Sequence, residues 1–86
     1  MQELKIINEN KDISTIFVNP DNVVSVEEDA SMKKALNEGR LPESLQSNHR
    51  FSRVSIDSGN ASRQVTAIGS PEAIKVKLDG RNILHG

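Results

Sequence analysis

The residues with the clearest chemical potential are three arginines, Arg50, Arg53 and Arg63. Arg50 and Arg53 flank Phe51, and Arg63 lies in the next apolar run. A guanidinium is a rigid planar fork that grips phosphate or carboxylate at two points and stacks on an aromatic face. This pattern predicts a receptor for a phosphate-bearing base or for an acidic protein surface. His49 and Asn60 would add hydrogen bonds. The competing reading lays the arginines over a sheet surface, where their stems cover apolar area and their heads pair with acidic N-terminal strands.

No other group of residues predicts chemistry as well. Glu27, Glu28 and Asp29 are consecutive, so in a strand they alternate faces and cannot close on one ion. Cysteine is absent, and His49 and His85 are far apart with no ligand-like spacing, so neither a metal nor another cofactor is expected. No G-x-S-x-G elbow is present to raise a serine nucleophile. Gly69-Ser70-Pro71 precedes a helix, and such an N-terminus attracts anions. Pro71, however, removes one donor, and no phosphate-loop lysine follows. The expectation is a protein that is not an enzyme.

Composition narrows the class further. The chain has 86 residues, 11 Lys and Arg against 12 Asp and Glu, and 2% aromatics. Extended nucleic acid is not expected as a partner, because stacking platforms need several aromatics and a basic surface. No apolar run approaches the ~18 residues of a membrane span. Met1–Lys5 lacks the basic and apolar regions of a secretory leader, so the expected location is cytoplasmic. The small net charge of −1 hides an acidic front, residues 1–28, and a basic back, residues 51–86. One small domain without disulfides or metals has a thin core. With only Phe17 and Phe51 as aromatics, further buried area is expected from a second copy of the chain.

Pattern and punctuation predict the elements that carry these residues. Leu4, Ile6 and Ile7 form a short strand, followed by turn chemistry over Asn8–Asp12. Ile13–Val18 is the strongest strand, with Ile13, Thr15 and Phe17 on one face and Ser14, Ile16 and Val18 on the other. Bulk on both faces predicts a central or doubly covered strand. Asn19-Pro20-Asp21-Asn22 breaks the run, and Val23–Val26 follows as a strand that ends in the acidic run.

The connection 29–50 is long beside a hairpin loop of ~2–5 residues. Met32 and Leu36 have helical spacing, with Asp29 or Ser31 as cap, Gly39 as stop, and Lys33 and Lys34 outward. Ser58-Gly59-Asn60 predicts a hairpin between Phe51–Asp57 and Ser62–Ile68. With Gly59-Asn60 as the turn, Val54 faces Val65 and Ile56 faces Arg63. Phe51, Arg53, Thr66 and Ile68 then share the other face. Ser70, Pro71 and Glu72 open a C-terminal helix, which Gly80 would close. Ile83 and Leu84 form an apolar pair in the tail.

Two segments resemble small FlbD-like proteins, short bacterial chains associated with flagellar gene clusters, with comparable chains in phages. Phe17–Glu27 is similar to their N-P-D turn followed by a valine-rich strand with an acidic end. Val65–Ile74 is similar to their last strand with Ser-Pro-Glu opening a terminal helix. Together these cover about a third of the chain. The resemblance implies a β-meander with a closing helix, and it carries no catalytic residue or cofactor. In FlbD-like chains a short turn joins the central strands, whereas here residues 29–50 intervene.

The expected fold is α+β: a small antiparallel β-meander of four to five strands, a short helix in the insertion 29–50 and a C-terminal helix, within a single domain spanning 1–86. The expected function is a non-enzymatic interaction module, a homo-oligomer of the kind that phages and mobile elements use to bind or inhibit a host factor. Arg50, Phe51, Arg53, Asn60 and Arg63 would meet the partner, and Met32, Leu36, Ile83 and Leu84 would form the subunit interface. The alternative is a small-molecule or nucleotide receptor lined by the same arginines.

Overall fold

The computed structural model describes residues 1–41 and 49–79. Five strands form one antiparallel sheet: β1 (Gln2–Ile7), β2 (Ile13–Val18), β3 (Val23–Glu28), β4 (Phe51–Asp57) and β5 (Ser62–Ile68). Two helices accompany it, α1 (Ala30–Asn37) and α2 (Pro71–Leu78). The α+β class is as the sequence predicts. The strand order is β2-β1-β5-β4-β3, so neighbours in sequence pair except β2 and β3, which take the two edges.

That order bends the sheet. A flat five-stranded sheet sets its edges roughly 19 Å apart, four spacings of ~4.8 Å. The step from Val18 at the end of β2 to Val23 at the start of β3 contains a 3-10 turn over Pro20–Asn22, which rises only ~2 Å per residue. The step is too short for a flat sheet, so the sheet curves and the Val18 end of β2 is drawn toward the Val23 end of β3. The Asn19 side chain accepts from the Asp21 amide at 3.0 Å, and Pro20 supplies the preset φ of the first turn position. Val18 and Val23 both meet the core inside the curve.

α2 fills this concave side. Leu4, Ile6, Val18, Val54, Val65 and Ala67 form a closed cluster with Ile74 and Leu78. The helix begins where the sequence predicts: the Ser70 hydroxyl accepts from the Ala73 amide at 3.1 Å, and Pro71 stands first in the helix. Gly80 lies outside the described residues.

α1 covers part of the opposite face through Ala35, which with Leu41 buries Phe51 and Ile7. Asp29 is its N-cap, accepting from the Met32 amide at 3.1 Å. Gly39, at φ +74°, sends its amide to the Leu36 carbonyl, and Arg40 sends its amide to Ala35. This pair of backward bonds is the Schellman ending that a left-handed glycine permits. Lys34 is exposed as expected, but Lys33 is half-buried, because its ammonium reaches back to the His49 carbonyl at 2.9 Å.

Two further strand expectations need correction. β3 runs through Glu27 and Glu28, because Glu27 pairs across to Arg53 and opposite charges stabilise such a pair. β2 is an edge strand and not a central one. The Asn8–Asp12 turn folds it back on the outer side of β1, where Ile13 and Phe17 stand 39% and 64% exposed.

Candidate functional site

The register sorts every predicted site residue onto a face. Across the α1 side, one row of directly paired residues reads Glu27, Arg53, Thr66, Ile7, Ile13 from β3 to β2. Its β3 end is charged and its β2 end is apolar. Asp29 sits over the charged half. Although 4% exposed, its carboxylate receives the Ser31 hydroxyl at 2.7 Å, the Met32 amide at 3.1 Å and the Thr66 hydroxyl at 3.2 Å, with Arg53 at 3.8 Å.

Burial alone would raise the Asp29 pKa. The bonds from Ser31, Met32 and Thr66, with the Arg53 charge, outweigh it and hold the carboxyl below its ordinary value. A carboxylate so fully occupied is a poor proton acceptor at neutral pH. Its role is to pin the first turn of α1 onto β5 and β4.

The arginines are not brought together. Arg50 pairs with Glu28, whose bond and charge raise the pKa of the guanidinium, with Glu72 adding to the effect. Arg53 faces Asp29 on the α1 side. Arg63 pairs with Ile56, so it projects to the face opposite Arg53. It lines a shallow cleft of about 500 Å³ whose other charged residue is Asp57. Asn60 lies in the turn at the far end of β4 from Arg50, with the seven residues of that strand, roughly 23 Å, between them.

Phe51 is corrected from partner contact to core: at 1% exposure, beneath Ala35 and Leu41, it cannot meet a ligand. Met32 and Leu36 are half-buried against that same cluster. Ile83 and Leu84 lie outside the described residues. Among the described residues no group of three His, Asp or Glu side chains converges as a metal site would require, and no helix is long and apolar enough to cross a membrane.

Among the described residues, the surface left open is the β2 end of the α1 face. Ile13, Thr15 and Phe17 are exposed there in a row, on a strand with no charged residue. Reading the sequence for pairs of functional groups missed this surface. Its available signal was the uncharged run Ile13–Val18 itself, since edge strands usually carry a protective charge or proline. Comparison with known protein families, curated proteins and solved structures finds no match.

Proposed function

We propose that this chain is a non-enzymatic interaction module that works as a homo-oligomer, with the β2 end of the α1 face as its working surface. One observation carries the reading: α2 closes one sheet face, while α1 leaves Ile13 and Phe17 exposed together on the other. Phe17 is one of only two aromatic residues in the chain. An exposed apolar row of this kind on a small domain marks an association surface. A host protein, the partner expected of a phage or mobile-element accessory chain, would meet the same surface.

The arginine-lined receptor has less support. Arg50 and Arg53 already face carboxylates, and Arg63 stands on the other face.

Sedimentation velocity of the full chain over a broad dilution series tests the proposal. The expected result is a species heavier than the 9.5 kDa chain that dissociates on dilution. A single monomer at every concentration would overturn it.

A further inference from the structure

The backbone at the open edge carries more information than the side chains alone. The Asn8 amide donates to the Asp12 carbonyl at 2.8 Å, which makes Asn8 and Asp12 a hydrogen-bonded pair at the mouth of the β1–β2 hairpin. Along an antiparallel ladder such pairs alternate with non-bonded ones. Counting from Asp12, the residues of β2 that bond to β1 are Ser14, Ile16 and Val18. The N–H and C=O groups of Ile13, Thr15 and Phe17 therefore point outward, away from β1. These are the same three residues whose side chains are exposed.

The edge is also self-complementary. A second β2 laid antiparallel with Thr15 opposite Thr15 sets Ile13 opposite Phe17 on both sides of the axis. All three outward pairs then fall in hydrogen-bonded positions, so every outward donor and acceptor is matched. The side-chain pairs are aromatic with β-branched, and Thr with Thr, both favourable across strands. No charged residue lies between Ile13 and Val18. The charge that reaches this edge comes from β1, where the Lys5 ammonium donates to the Thr15 hydroxyl at 2.6 Å. The opposite edge is built differently: β3 carries an irregularity between Val23 and Ser25 and ends in Glu27 and Glu28, features that block edge pairing.

From this geometry we infer that two copies of the chain pair through β2, antiparallel and two-fold about Thr15, joining two five-stranded sheets into one ten-stranded sheet. This rests on the homo-oligomer reading above and specifies its interface. The two-fold runs perpendicular to the sheet, so both α1 faces fall on the same side and Ile13 of each copy meets Phe17 of the other. The symmetry uses up both β2 edges and leaves only the guarded β3 edges unpaired, so assembly stops at two. A single strand pair falls short of the ~1,200 Å² of total buried surface typical of stable complexes, so the dimer is reversible.

The test uses the full chain and two variants, Ile13→Lys and Phe17→Glu, both at exposed positions and checked for folding by circular dichroism. Each variant alone should lose the dimer. Mixed in equal amounts they should form a heterodimer, because Ile13 of one copy faces Phe17 of the other. One opposite-charge pair and one native pair result, tighter than either homodimer by roughly five-fold or more. Amide exchange of the unaltered chain provides a reading without mutation. Protection of Ile13, Thr15 and Phe17 should rise with protein concentration, while Ser14, Ile16 and Val18 stay protected throughout.

A wild-type monomer at all concentrations would overturn both the oligomer and this interface. A wild-type dimer that survives in each variant would overturn the β2 pairing alone. So would protection of Ile13, Thr15 and Phe17 that ignores concentration, since it would mean the edge is covered within one chain.

Discussion

The Thr66 hydroxyl, on β5, donates to the Asp29 carboxylate at the head of α1 across 3.2 Å, although 37 positions separate them in sequence. Asp29 also receives the Ser31 hydroxyl and the Met32 amide, and its own amide donates to the Phe51 carbonyl at 2.8 Å. One buried side chain therefore caps the helix and fastens it to the sheet.

Asp29→Ala removes an N-cap worth about 1 kcal/mol and leaves the part-buried Thr66 hydroxyl without its acceptor, for a total loss of about 2–3 kcal/mol, to which the exposed Arg53 adds little. Chemical denaturation checks the value. The pH dependence follows from the lowered pKa of Asp29 in the folded state. The stability it contributes is fully present above the unfolded value near 3.8 and is lost as pH falls through the lower folded value. Asp29→Asn should flatten that acid limb and leave the slope above about pH 5 unchanged.

The two phenylalanines should behave oppositely. Phe51→Ala empties the centre of the α1-side core and is expected to cost about 3–5 kcal/mol. Phe17→Ala lies on the exposed edge and is expected to stay within about 0.5 kcal/mol for the monomer while weakening self-association. Thermal melts at low protein concentration, paired with sedimentation at high concentration, separate the two effects.

Gly69 joins β5 to α2 at φ +135°, and a Cβ added there would lie 3.3 Å from the Ile74 Cδ1 atom. Its amide donates to the Arg50 carbonyl at 2.7 Å, and its carbonyl accepts from the fully buried Ser52 hydroxyl at 2.8 Å. Gly69→Ala is expected to destabilise by about 1–3 kcal/mol, because the strained backbone is held on both sides. Equilibrium denaturation measures this. A neutral outcome would show that the turn relaxes freely.

Short-range chemistry was legible in the sequence. The caps at Asp29 and Ser70, the stop at Gly39 and the Gly59-Asn60 turn depend on side chains and φ values within a few residues of each other. The turn also sets the β4–β5 register, with Val54 opposite Val65 and Phe51 opposite Ile68. That register already placed Arg53 and Arg63 on opposite faces, since side chains alternate along a strand.

Only the tertiary structure decided the pairings between distant segments. The β1–β5 seam pushes β2 to an edge, so Ile16 and Val18 still meet the core while Ile13, Thr15 and Phe17 on its other face are exposed. The fold of α1 over β4 turns Phe51 from expected contact into core and brings Asp29 to Thr66. These outcomes depend on which apolar surfaces meet across the chain, and several strand orders satisfy the same local pattern. The cysteine-free composition and scarce aromatics implied a thin core. The curved sheet settles where that thinness lies, with α2 closing one side and β2 left open on the other.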